Sequence, residues 1–127
     1  MIKSYLLVAA GSALGGVARV ALSSALVRRW GTSFPWGTLA VNLAGCFLLG
    51  LLVGVGDQRW RMGPELRLLL MAGFCGGFTT FSTFALEVST LFKSGSPGYA
   101  LIYMMASGVL GVGLFGVGAW VARGGMT

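Results

Sequence analysis

The third apolar run of this 127-residue chain contains an unusual segment, Gly73-Phe-Cys-Gly-Gly-Phe-Thr-Thr-Phe-Ser-Thr-Phe84. The run extends between Arg67 and Lys93 and is interrupted only by Glu87, so it is long enough to cross a bilayer. Adjacent glycines followed by two threonines weaken a helix, because glycine and β-branched residues both have low helical propensity. We therefore predict a transmembrane helix that is broken near its middle.

Three further apolar runs are also long enough to span a bilayer. They extend from Ser4 to Val27, from Trp36 to Gly56 and from Tyr99 to Arg123. Tryptophan indoles prefer the membrane interface, and all four tryptophans lie near run ends: Trp30, Trp36, Trp60 and Trp120. The sequence therefore predicts an all-α integral membrane protein, with residues 1–127 forming a single domain of four transmembrane helices.

The composition agrees with a membrane protein and excludes several functions. Hydrophobic residues make up 56% of the chain and charged residues 9%, whereas soluble domains carry about a quarter charged residues. The net charge of +6 comes from basic residues at the run ends, which are typical flanks of membrane helices, so we expect no nucleic acid partner. The chain has no histidine and only three acidic residues, which leaves little for acid–base catalysis. An enzyme is therefore the least favoured class.

The basic residues are divided almost evenly between the two sides of the predicted bundle. One side carries Lys3, Arg59, Arg61, Arg67 and Arg123, and the other carries Arg28, Arg29 and Lys93. An excess of Lys and Arg normally sets the orientation of a membrane protein, and five against three is a weak excess. The sequence therefore permits insertion in both orientations, and with it an antiparallel, dual-topology homodimer.

Small residues predict how the helices pack, because close backbone approach stabilises helix pairs in lipid. The chain has 22 glycines, and several are spaced four residues apart on one helix face. These small-residue faces are Gly11 with Gly15, Gly50 with Gly54, Gly73 with Gly77, and Ser107 with Gly111. A bundle of four helices with short loops is too thin to enclose a path by itself. We therefore expect some glycine faces to contact a second subunit. The two cysteines, Cys46 and Cys75, lie in apolar runs and are expected to pack as small hydrophobes.

Polar side chains inside a bilayer need a partner or a pathway, so each one is a candidate site. Asn42 shares a helix face with Thr38 and Gly45 and is either an interhelical hydrogen-bonding group or part of a site. Arg19 lies within the first run and is expected either to reach the interface or to pair with Glu87.

The third and fourth runs carry further candidates. Phe81 and Phe84 lie on one face of the third run, and a polar face beside them consists of Thr80, Thr83, Glu87 and Thr90. A broken helix frees backbone groups that protein, water or an ion must satisfy. Tyr103, Ser107 and Gly111 repeat at four-residue spacing on the fourth run. Ser107 is either a donor in a pathway or bonded back to its own helix.

Together these residues offer hydroxyl and amide donors and the positive edges of aromatic rings. Only one carboxylate, Glu87, falls inside a predicted span. This chemistry favours a narrow path for a small anion, and fluoride is the halide that most needs close hydrogen-bond donors to replace its water.

Three segments resemble the signatures of the fluoride channel family, often called Fluc or CrcB. They are Gly15-Gly16-x-x-Arg19, Gly37-Thr38-Leu39-x-Val41-Asn42-x-x-Gly45 and the segment from Gly73 to Phe84. The resemblance covers the length of the chain, its four runs and the order of the motifs, and the Thr-Thr-Phe-Ser-Thr-Phe string is the most specific part.

The resemblance implies a fluoride-selective channel that exports fluoride passively through two pores of an antiparallel homodimer in a bacterial cell membrane. It implies that the pores are lined by Phe81, Phe84, Asn42, Thr38, Thr83, Ser107 and Tyr103. It also implies a central structural sodium ion, bound by the backbone carbonyls of Gly76 and Thr79 from both subunits.

Two other classes of membrane protein compete with this interpretation. A small multidrug-type, proton-coupled cation exporter also has four spans, but it needs a carboxylate in its first helix, and the first run contains none. A small assembly subunit without a pore would explain the glycines and leave the polar segment of the third run unexplained.

Overall fold

The structure is a computed structural model that describes residues 1–58 and 63–124. Within these ranges the chain is all helical and has four helices long and apolar enough to cross a membrane. They are α1 (Ile2–Trp30), α2 (Trp36–Gln58), a third span (Pro64–Lys93) and a fourth span (Pro97–Ala122). The predicted four-span, all-α fold is therefore confirmed. Arg59, Trp60 and Arg61, which the sequence places at a membrane interface, lie outside the described residues.

The third span is broken, as predicted. Its first half, α3, covers residues 64–78, and its second half, α4, covers Ser82–Lys93. Thr79 has an extended backbone, with φ −86° and ψ 158°, and the helix resumes after Phe81. The glycine pair Gly76-Gly77 itself remains helical, so the break follows the glycines and falls on the two threonines.

Two helices contain π-helical segments at the level of the break. In α3 the segment is Leu68–Cys75, and in the fourth span, called α5 from here on, it is Ala106–Leu110. A π-helical segment widens the backbone and turns side chains away from their usual positions, and such segments are frequent at functional sites. Both of them contribute residues to the groove described below.

Glycines bring the helix axes together in two pairs, α1 with α3 and α2 with α5. A Cβ atom added at Gly15 would run into the carbonyl oxygen of Phe74, and one added at Gly50 would run into that of Phe115. These contacts confirm the predicted packing role of the small residues. Added Cβ atoms would meet no atom within 4 Å at six other helical glycines, which leave their faces open: Gly16, Gly76, Gly98, Gly108, Gly113 and Gly116.

Contacts at the two ends of the bundle agree with spans that alternate in direction. Lys3 Nζ lies 2.9 Å from Glu65 Oε1, which joins the start of α1 to the start of α3. At the opposite end the rings of Trp30 and Trp36 meet edge to face, with centroids 5.7 Å apart. A buried hydrophobic cluster lies near this second end and contains Phe34, Leu39, Leu91, Ala100 and Tyr103.

Candidate functional site

An open groove of about 600 Å³ lies beside the break in the third span, between α2, α3 and α5. Six of the residues predicted from sequence line this groove: Asn42, Gly76, Thr79, Phe81, Phe84 and Ser107. The other lining residues are Gly45, Cys46, Leu49, Met71, Cys75, Thr80, Met104 and Gly108. The predicted residues that do not line the groove are Thr38, Thr83 and Tyr103.

The side chain of Asn42 stabilises the break through two hydrogen bonds to the backbone of Thr80. Its Nδ2 donates to the Thr80 carbonyl oxygen at 3.1 Å, and its Oδ1 accepts from the Thr80 backbone N–H at 2.9 Å. One amide therefore satisfies both backbone groups of a peptide that has left the helix, as the lipid environment requires. The interhelical role considered for Asn42 is what the structure shows, and one of its two N–H groups is left over for another acceptor.

Two backbone carbonyls at the break have lost their helical partners. The N–H of Thr80 would pair with Gly76 in a continuous helix, but Asn42 accepts it instead. Similarly, the N–H of Thr83 would pair with Thr79, but it donates to the Thr80 hydroxyl at 3.3 Å. The carbonyls of Gly76 and Thr79 are the pair expected to bind a cation, and both residues line the groove. Carbonyl oxygens suit a hard monovalent cation, so the residues present fit the sodium site that the resemblance implies.

The two phenylalanines of the segment lie next to each other on the groove wall. The ring centroids of Phe81 and Phe84 are 5.7 Å apart, with an angle of 43° between the ring planes. Phe84 also meets the ring of Tyr103 edge to face at 4.9 Å. Phe81 is 79% exposed in the single chain.

The hydroxyl of Ser107 is buried at the groove wall without a hydrogen-bond partner. Among the residues that the structure describes, its Oγ is the one buried side-chain polar atom left in this state. Ser107 lies in the π-helical segment Ala106–Leu110, and the alternative of a bond back to its own helix is wrong. A buried donor without a partner is unfavourable, so this hydroxyl is a candidate ligand for an ion in the groove.

Glu87 forms a separate polar cluster with two residues that were predicted as pore donors. Its Oε2 accepts from the Thr38 hydroxyl at 3.1 Å, and its Oε1 accepts from the Tyr103 hydroxyl at 2.9 Å. Thr38 is 5% exposed and Tyr103 is fully buried. Both hydroxyl protons therefore point to the carboxylate in this conformation. The sequence did not reveal this cluster, because its members come from three helices with no common spacing.

Arg19 does not form the ion pair with Glu87 that was one of its two expected arrangements. Its Nε donates to the Gly77 carbonyl at 3.3 Å, so the proposed pairing with Glu87 is wrong. Glu87 instead bonds to Thr38 and Tyr103. Arg19 contacts the last turn of α3, where a helix end carries partial negative charge. Of the predicted polar face, Thr83, Glu87 and Thr90 lie on α4 and Thr80 lies in the break. The Thr90 hydroxyl donates to the Leu86 carbonyl of its own helix.

These features define a class: a small multi-pass membrane protein with a broken span and a donor-lined groove at the break. The sequence profile described as "CrcB-like protein, Camphor Resistance (CrcB)" matches residues 6–119 of the chain. The chain belongs to this CrcB family, which confirms the resemblance found in its motifs.

Similar proteins carry the name of a fluoride channel. The chain is 48% identical over 111 residues to the fluoride-specific ion channel FluC of Rhodospirillum centenum, which covers 87% of this chain and 88% of that protein. It is 46% identical over 118 residues to the protein of the same name from Chelativorans sp., covering 93% and 94% of the two chains. These relatives are bacterial, and with four spans the chain is a multi-pass protein of a bacterial cell membrane. Their names agree with the expectation that the chain is not an enzyme.

Proposed function

We propose that this protein is a fluoride-selective channel that lets fluoride cross the membrane down its gradient. The observation that carries the proposal is the buried, unpartnered hydroxyl of Ser107 in the wall of a groove that also presents two phenylalanine rings. The names of the relatives supply the identity of the ion. Fluoride holds its water tightly, so a path for it must offer donors that compensate for the lost hydration.

The groove residues divide this work between them. Ser107 and the second N–H of Asn42 donate hydrogen bonds to the anion. The edges of Phe81 and Phe84 carry partial positive charge and keep the path narrow. The hydroxyls of Thr38 and Tyr103 bond to Glu87 in this conformation, so they reach an anion only if those bonds exchange. Thr83 does not line the groove of the single chain. In the proposed dimer it lines a pore only where the second subunit completes the wall.

We propose that the working unit is an antiparallel homodimer with two pores. An open groove on one chain cannot shield a fluoride ion from lipid, and Phe81 is 79% exposed. The open glycine faces at Gly16, Gly108, Gly113 and Gly116 allow close approach of another helix. A second subunit in the opposite orientation would cover Phe81 and complete each path.

We further propose that the carbonyls of Gly76 and Thr79, from both subunits, hold a structural sodium ion at the centre of the dimer. The support is that both carbonyls have lost their helical donors beside the groove. A hard cation would stabilise such a cluster of carbonyl oxygens and fix the two breaks against each other.

Fluoride efflux from liposomes tests the proposed function. Protein reconstituted with potassium fluoride inside should release fluoride to a fluoride-free solution when valinomycin balances the charge, and release of chloride should be at least a hundredfold slower. Ion-selective electrodes measure both anions. Efflux that requires an imposed proton gradient would instead support a coupled exporter.

Substitutions at the phenylalanines separate conduction from assembly. Phe81→Ile and Phe84→Ile should each reduce fluoride flux at least tenfold while the protein elutes as the wild-type oligomer in size-exclusion chromatography. Flux losses that occur only together with loss of the oligomer would contradict the pore-lining role.

A further inference from the structure

Four sulfur-containing residues line the groove. Both cysteines of the chain, Cys46 and Cys75, line it together with two of the six methionines, Met71 and Met104. They come from three different helices, so their proximity results from the fold and does not follow from sequence spacing. Met71 and Cys75 are four residues apart in the π-helical segment Leu68–Cys75, which keeps them near one face of α3.

The two thiols occupy confined positions at the wall. Cys75 is 3% exposed, and its carbonyl accepts from the Thr79 hydroxyl at 2.8 Å, which fixes the backbone beside the break. The Sγ atom of Cys46 lies 3.4 Å from the position that a Cβ at Gly111 would take, so the thiol lies against α5. Both cysteines are free thiols, and they line one groove together with two methionines.

Sulfur ligands select soft metal ions. Thiolate and thioether groups prefer Cu(I) and related thiophilic cations over hard cations. Among the described residues, no group of three or more His, Cys, Asp and Glu side chains could hold a metal ion, so a four-coordinate zinc site of the usual kind is not formed there. A pair of thiols with thioether neighbours instead suits a cation of low coordination number.

We propose that the groove binds one soft monovalent cation of the Ag(I) or Cu(I) class through Cys46 and Cys75, with Met71 as a supporting ligand. Each cysteine that binds as a thiolate releases one proton to the solvent. The site is distinct from the carbonyl site at Gly76 and Thr79, because oxygen ligands suit hard cations. Sodium therefore does not compete for the sulfur site.

Silver binding to the purified protein tests the site without any transport assay. The protein in detergent is mixed with silver nitrate in chloride-free buffer, desalted, and analysed for silver by elemental mass spectrometry. We expect one silver ion per chain, at least tenfold weaker binding by the Cys46→Ala/Cys75→Ala variant, and a few-fold weaker binding by Met71→Leu. Met105→Leu is the matched control, because Met105 is 64% exposed and lies outside the groove lining.

Two results would overturn the proposal. One is wild-type silver binding by the double alanine variant. The other is two silver ions per chain, with one lost in each single cysteine variant, because that pattern means separate thiols and no shared site. The Cys46→Ser/Cys75→Ser variant controls for misfolding: it should elute like the wild-type protein in size-exclusion chromatography and still bind silver weakly. Ala25→Cys in that cysteine-free chain shows whether a lone thiol on an exposed helix face binds as well.

A second consequence rests on the proposed function. A cation bound at Cys46 and Cys75 occupies the groove beside Asn42 and Ser107, so silver should reduce fluoride efflux at least fivefold, and dithiothreitol should restore it. The cysteine-free variant should be insensitive. Full flux with silver bound would contradict this consequence, whereas a protein that conducts no fluoride without silver would contradict the proposed function and leave the binding measurement decisive for the site.

Discussion

At the scale of single residues, hydrogen bonds decide what each polar side chain inside the membrane does. Asn42 forms hydrogen bonds to both backbone groups of Thr80, and Glu87 accepts hydrogen bonds from two hydroxyls. Ser107 alone among the described residues keeps a buried polar side-chain atom without a partner. Asn42 and Glu87 therefore have partners within the protein, and the Ser107 hydroxyl is the buried donor that remains available to the proposed ion path.

Asn42→Asp should be the most damaging single substitution in the groove. It removes the N–H group that donates to the Thr80 carbonyl. It also places a negatively charged carboxylate in the path of the fluoride ion. A hydrogen bond to a charged partner is worth about 1.5–3 kcal/mol, so the expected loss of fluoride flux is roughly tenfold to a hundredfold. Flux from liposomes and elution volume should be measured on the same preparation. Unchanged flux would refute the role of Asn42.

Tyr103→Phe and Thr38→Val should each lower the thermal unfolding midpoint in detergent. Each removes one of the two hydroxyl donors to Glu87, and leaving a half-buried carboxylate short of one donor costs about 1 kcal/mol. The double variant should show coupling, because both substitutions act on the same carboxylate. In a Glu87→Gln background the two effects should shrink. Additive effects that are unchanged in that background would show that Glu87 is not the shared acceptor.

At the scale of the elements, glycine determines which helices pair and threonine determines where the third span breaks. The close approach of α1 to α3 at Gly15 and of α2 to α5 at Gly50 leaves the groove between the two pairs. The N–H and the hydroxyl of Thr79 still donate to the Cys75 carbonyl of α3, and the break follows at Thr80, whose N–H donates to Asn42 of α2. The groove lies beside this break, between α2, α3 and α5.

Gly15→Ala should destabilise the fold by roughly 1–3 kcal/mol, because its methyl group would meet the Phe74 carbonyl and overpacking costs about this much. Gly98→Ala is the control, since a Cβ there meets no atom within 4 Å. Thermal unfolding followed by tryptophan fluorescence measures both. Equal midpoints for the two variants would mean that α1 and α3 do not pack through Gly15.

Much of this arrangement could be predicted from the sequence, and the exceptions have a physical cause. Apolar length and glycine spacing predicted the four spans, the broken third span and the packing faces, because these are local properties of each run. The cluster at Glu87 and the bond from Arg19 to Gly77 could not be predicted, because they depend on which helices become neighbours. Ser107 was identified as a candidate, but its lack of a partner is a property of the whole bundle.

At the scale of the whole molecule, the proposed conducting path requires a second copy of the chain. The groove is open on one side, and Phe81 lies almost fully exposed beside it. The weak excess of basic residues on one side, five against three, permits opposite insertion of two copies. Assembly and conduction are therefore coupled in the proposed channel.

Labelling of introduced cysteines should show both orientations in the membrane. Gly63→Cys and Ser94→Cys, each in the Cys46→Ser/Cys75→Ser chain, place an exposed thiol at opposite ends of the third span. In a dual-topology population an impermeant maleimide should label about half of each variant from outside the cell. Complete labelling of one variant and none of the other would show a single orientation and exclude the antiparallel dimer.

The bonds from Asn42 to the Thr80 peptide also bear on how the protein is made. Synthesis delivers α2 to the bilayer before residues 79–81 leave the ribosome, so the partner of the exposed peptide is already present when that peptide enters the hydrocarbon. Inserted without α2, the same peptide would carry two unsatisfied backbone groups, each costing several kcal/mol. The order of the spans along the gene is thus part of the biogenesis of the break, and a circular permutant that places the third span first should insert poorly.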